Sequence, residues 1–128
     1  MANLVTITPQ INGSRIFTYK IDIEGDGSGE ETAKVIIDAS ALTGAPADFK
    51  IHVMQWSLEG FSAELFWDAT TNVHAFSLAE GGNGIRFSET GAYLTNNAGV
   101  GKTGDLLITT SGLGATGHGT LIISGVHS

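Results

Sequence analysis

The chain has 128 residues, enough for one hydrophobic core and too few for two ordinary domains, with 41% apolar residues and a mean hydropathy of +0.14 that exclude a disordered polymer. Only 15% of residues are charged and the net charge is −7, with six Lys and Arg scattered at positions 15, 20, 34, 50, 86 and 102, so the basic patch that grips nucleic acid is missing. There is no cysteine, which excludes a disulfide framework, a thiol nucleophile and a thiolate metal site.

The opening "MANLVTITPQINGSRIF" lacks a charged region followed by an apolar signal segment, and no apolar run reaches the roughly 20 residues that span a bilayer. The expectation is a protein made in a cytoplasm, with no membrane partner. Residues 1–10 carry Leu4, Val5 and Ile7 ahead of Pro9 and are a candidate N-terminal arm that adds a strand to a neighbour's open edge. Asn12-Gly13 then predicts a hairpin joining "LVTITPQI" to "SRIFTYKI". The Asn12-Gly13-Ser14 sequon is read as this turn and not as a glycosylation site.

In "RIFTYKIDIE", Phe17, Tyr19, Ile21 and Ile23 alternate with polar residues, as a strand with one wet face requires. "DIEGDGSGE" places acids at 22, 24, 26 and 30, but the twelfth position counted from Asp22 is Ala33 where a calcium-binding hand needs Glu, so a mobile acidic hairpin tip is expected. A strand is expected over about 33–39. "FKIHVMQWSL" changes phase between Ile51-x-Val53 and Met54-x-Trp56-x-Leu58, which makes it a central strand that is either buried on both faces or bulged. Two apolar faces would call for subunit contact over one of them, hence a homo-oligomer.

Phe61, Ala63, Leu65 and Trp67 form the next alternating strand, ending at "WDATT". Asp68, Thr70 and Thr71 suit a hydrogen-bonded turn, and Trp67 with Asp68 is a candidate aromatic and carboxylate patch for a partner. Further strands are expected at about 73–79, 84–88, 105–110 and 119–126, with "EGGNG" and "SGLGATGHG" as loops. Glycine punctuation every eight to twelve residues, with no ten-residue helical period, predicts an all-β antiparallel sandwich, jelly-roll-like, of about eight strands in a single domain spanning 1–128.

Gly101-Lys102-Thr103 ends like a phosphate-binding loop, yet the first glycine of that pattern is replaced by Asn96 and the segment leads into the strand "LLITT" where a helix is needed. Nucleotide binding is therefore not expected. His52, His74, His118 and His127 show no metal-ligand spacing and no G-x-S-x-G elbow is present, so the expectation is no enzyme, no cofactor and no metal.

"FWDATTNVHAFSL", followed about twenty residues later by "LTNNAGVGKTGDLLITTSG" and "GTLIISGV", resembles a family of small structural proteins encoded in tailed-bacteriophage genomes. The shared pattern is W-D-A-T-T, then a glycine-containing asparagine segment and T-G-D-[IL]-L-x-T-T, carried here by Trp67 to Thr71, the segment around Asn97, Thr103-Gly104-Asp105, Leu107 and Thr109-Thr110. With "VIIDASAL" and "VMQWSLEGF" upstream, the resemblance covers roughly residues 35–126. It implies a virion component, foremost a capsid decoration or cement protein, with the major capsid protein as partner and a trimer seated on threefold positions of the lattice. A tail, neck or fibre module is the alternative within that class, and a carbohydrate- or receptor-binding sandwich using Trp56 or Trp67 is the alternative outside it. The last strand lacks the family's basic residues, so charge-based docking through that end is not implied, and Lys102 falls in the variable part of the family's loop.

Overall fold

The computed structural model describes residues 3–44, 46, 49–87 and 93–127. Nine strands form two antiparallel sheets among them: β1 (Leu4–Asn12), β2 (Ile16–Glu24), β3 (Lys34–Ile37), β4 (Phe49–Glu59), β5 (Ser62–Trp67), β6 (Val73–Leu78), β7 (Gly81–Arg86), β8 (Leu106–Ser111) and β9 (His118–His127). One sheet has the order β1-β2-β9-β4-β7 and the other β3-β8-β5-β6. Strands β2 to β9 thus make two four-stranded layers whose chain crosses repeatedly between them, the jelly-roll arrangement, and β1 is an added edge strand. The expected β-sandwich is what the chain forms.

Alternation explains the core. Phe17, Tyr19, Ile21 and Ile23 of β2 are all buried, as are Ala63, Leu65 and Trp67 of β5, so each strand turns every second residue into the space between the sheets. Phe49 anchors the centre, its ring edge-on to Phe17 at 5.0 Å and to Trp67 at 5.6 Å between centroids.

The phase change in β4 is a bulge. The register with β9 shifts between Ile51 and Val53, which leaves His52 as the extra residue and moves the inward parity from Phe49 and Ile51 to Met54, Trp56 and Leu58. Gln55, Ser57 and Glu59 face outward. The strand has one apolar face after all, and it gives no reason for a neighbouring subunit to cover the other.

Two expected loops differ. "EGGNG" contributes Gly81 to Gly84 to β7, which pairs with β4 from Leu58↔Gly81 to Val53↔Arg86; of the expected 84–88 segment, residues 84–86 are the end of this strand, Phe87 follows it and Ser88 is outside the described residues. The acidic segment after β2 joins one sheet to the other, so it is not a hairpin tip. The β1–β2 hairpin forms as expected but with Gly13, Ser14 and Arg15 as a three-residue loop closed by Gly13 N–H donating to the Ile16 carbonyl at 2.9 Å.

Candidate functional site

The two halves of the "WDATT…TGD" pattern meet in space. β5 carries the chain to Trp67 and β8 begins at Leu106 opposite it, so their outer ends bring Asp68 beside Thr103 and Asp105. Asp68 N–H donates to the Asp105 carbonyl at 3.0 Å, Thr103 N–H donates to the Asp68 carbonyl at 3.3 Å, and the Thr103 hydroxyl donates to Asp68 Oδ2 at 2.8 Å. Two residues on, Thr70 N–H donates to the Val100 carbonyl at 3.0 Å. Asp105 reaches the other way, its Oδ1 accepting from Ala39 N–H at 2.9 Å at the start of the short 3-10 turn Ala39–Ala41. The motif is a clasp that fastens two loops and a turn at one end of the sandwich.

Charge in the clasp follows from burial. Burial pushes the Asp105 carboxyl above its ordinary value and Asp38 and Asp68 add to the rise, against the lowering pull of the Ala39 N–H. Asp38 is held below its ordinary value by the hydroxyl and N–H of Ser40.

Gly101 and Lys102 sit on this clasp as a turn. Lys102 N–H donates to the Gly99 carbonyl at 3.1 Å and Gly101 has a φ of 80°, a left-handed backbone that glycine adopts without strain. A Cβ at Gly101 would collide with the Thr70 hydroxyl and backbone nitrogen. The segment continues into β8, so no helix N-terminus faces a phosphate.

The candidate partner residues separate. Trp67 is 0% exposed and packs on Phe49, so it offers no surface to a partner, and Asp68 spends its carboxylate on Thr103. Trp56 is 9% exposed and edge-on to Phe76, which leaves little indole surface for a sugar ring to stack on. Leu4, Val5 and Ile7 lie in β1, in the other sheet from Trp67: Leu4 is 57% exposed, while Val5 and Ile7 are half-buried against the core. The proposed arm is therefore folded onto its own sheet from Leu4 onward, paired with β2, while Met1 and Ala2 lie outside the described residues.

The acidic segment is bound internally. Glu30 accepts from the Thr110 hydroxyl at 2.8 Å and from the N–H groups of Gly112 and Leu113 at 2.9 and 3.1 Å, and these bonds, the Thr110 hydroxyl foremost, hold its carboxyl below the ordinary value. Asp26 Oδ1 accepts from Ser28 N–H and Asp22 from the Thr120 hydroxyl. Among the described residues no three His, Asp or Glu side chains are grouped to hold a metal ion. His118 contacts Glu59 at 3.1 Å, His74 contacts Ser77 at 2.9 Å, His52 lies against Tyr93 and His127 against Phe17. Among the described residues no helix is long and apolar enough to cross a membrane.

Sequence reasoning missed two asparagine clamps on β1. Asn3 Nδ2 donates to the Gly29 carbonyl at 2.7 Å and to Glu31 at 3.0 Å, while its Oδ1 accepts from Asp26 N–H. Asn12 does the same at the other end, donating to the Ala41 carbonyl and accepting from Thr43 N–H at 2.7 Å. The only local signal was an asparagine at each end of an alternating run.

No protein-family model and no curated protein matches the sequence. Among solved structures, the crystal structure of a cupin domain from Bordetella pertussis Tohama I aligns over 100% of this chain and 98% of that one, with 10% identity and a TM-score of 0.39. A likeness that slight has no bearing on activity.

Proposed function

We propose that this chain is a noncatalytic structural protein of a tailed-bacteriophage particle, a capsid decoration or cement protein that binds the major capsid protein on the outer shell. One observation carries the reading: the residues through which the chain resembles that family, Trp67-Asp68 and Thr103-Gly104-Asp105, are spent on the fold itself, in the core and in the clasp. A pattern of this kind is what a shared scaffold leaves in a sequence, since a reaction centre would leave its polar groups facing a cleft. A jelly roll occurs in capsid proteins, lectins and cupins alike, so the fold does not choose between them, and the reading rests on the resemblance in the motif. Adhesion needs no chemistry: many modest contacts repeated on a lattice sum to a large resistance to internal pressure.

The test is co-sedimentation of the purified chain with shells and with tails of the phage that encodes it. Saturable binding to shells at a fixed ratio to the major capsid protein is expected. Binding to tails alone would move the chain to the tail, and retention on immobilised glycans without binding to either would replace the reading with a receptor-binding one.

A further inference from the structure

We infer that the outer edge of β1 is a preformed strand-addition site, and that its occupant is β1 of a second copy, paired antiparallel across a two-fold axis near Thr6. This holds or fails apart from any role in a particle. β1 is the ninth strand added to an eight-stranded jelly roll, and only β2 pairs with it among the described residues. Its free side is a row of backbone donors and acceptors that another strand can satisfy.

Natural edges are blunted by charge, brevity, proline or bulges. The other three edge strands have such features: β3 is four residues long and bears Lys34, β7 is half glycine and ends in Arg86, and β6 is six residues long with a register shift against β5. β1 is nine residues with no charged side chain, and its proline and bulge come late, at Pro9 and between Pro9 and Ile11. "LVTIT", residues 4–8, is left straight, β-branched from Val5 to Thr8 and unguarded.

The edge is also held still. Asn3 ties its start to the loop after β2, and Asn12 ties its end to Ala41 and Thr43, so little ordering entropy is left for a partner to remove. The pattern suits itself: with Thr6 opposite Thr6 of the second copy, Val5 faces Ile7 on the inner side, where both are half-buried, and Leu4 faces Thr8 on the outer side. Two chains of net charge −7 can approach here because β1 itself carries no carboxylate: Glu31 is held by Asn3 at its start, and the carboxylates directly beside its middle, Asp22 and Glu24, are on β2. Three strand spacings, about 14 Å, then separate them from those of the other copy, beyond the roughly 8 Å screening length of physiological salt.

Sedimentation velocity of the full chain over a concentration series tests this, with Thr6→Lys and Thr6→Glu, both at an exposed position. A dimer is expected for the wild type, each variant weakening it by about ten-fold or more through like charges at the axis, and an equimolar mixture of the two variants restoring it. Because the chain has no cysteine, Thr6→Cys supplies a second readout: it should form a disulfide dimer under mild oxidation while Glu64→Cys, on the opposite sheet, stays monomeric. A wild type that is monomeric throughout or trimeric, a variant that dimerises undiminished, a mixture that stays monomeric, or crosslinking no faster at position 6 than at 64 would each overturn the inference.

Discussion

Replacing Gly101 by alanine, beside Lys102→Ala, separates a structural turn from a ligand-gripping loop. The left-handed backbone at Gly101 costs an alanine about 1–2 kcal/mol. Its Cβ also collides with Thr70, so the hydrogen bond from Thr70 N–H to the Val100 carbonyl is lost, which adds about 1 kcal/mol. The sum, about 2–3 kcal/mol, lowers the melting temperature of a domain this size by about 10 °C. Lys102 is exposed, and its truncation should stay within about 0.5 kcal/mol. Differential scanning calorimetry of both variants, backed by urea titration, measures the difference. If Gly101→Ala melts like the wild type, the loop does not rest on the Asp68 turn; if Lys102→Ala is the more damaging change, the lysine has a role that the clasp does not explain.

Trp67→Ala should cost about 3–5 kcal/mol in urea titration, a large share of the stability of a small domain, because the side chain is wholly buried against Phe49. Glu30 has a folded pKa below its unfolded one, so its contribution is present above the unfolded value, about 4.3, and is lost as the pH falls through the folded value. Melting temperatures should accordingly drop on acidification below about pH 4.5, and Glu30→Gln should flatten that limb. Asp105 has the opposite sign: burial raises its folded pKa, so its ionised form is disfavoured by folding at neutral pH. Asp105→Asn, which can still accept from Ala39 N–H, should be neutral or stabilising at pH 7, while Asp105→Ala leaves that donor unpaired and should cost about 1–3 kcal/mol, both read by thermal melts.

Strands with a strict two-residue period were legible from residues alone, β2 and β5 most plainly, because one face of each is buried and the other wet. The bulge in β4 was also visible, as two apolar parities in one run, but the sequence could not say whether the second parity was a second buried face or a shifted first one. The end of β7 was expected, but its start was read as a loop because Gly81, Gly82 and Gly84 carry no side chain from which a period could be read, and pairing with β4 alone makes them a strand. The clasp and the asparagine clamps were hidden for another reason. Asp68 and Thr103 are 35 residues apart and Asn3 and Gly29 are 26 apart, and a hydrogen bond between distant residues leaves no local pattern. The resemblance flagged the clasp residues without giving them a role, and the tryptophan it flagged proved to be core.

Quantitative mass spectrometry of purified particles of the phage that encodes the chain tests the central proposal most directly. The account predicts the chain in every particle preparation, in a fixed whole-number relation to the major capsid protein and retained on shells stripped of their tails. Its absence from purified particles, alongside abundance in the infected-cell lysate, would contradict it.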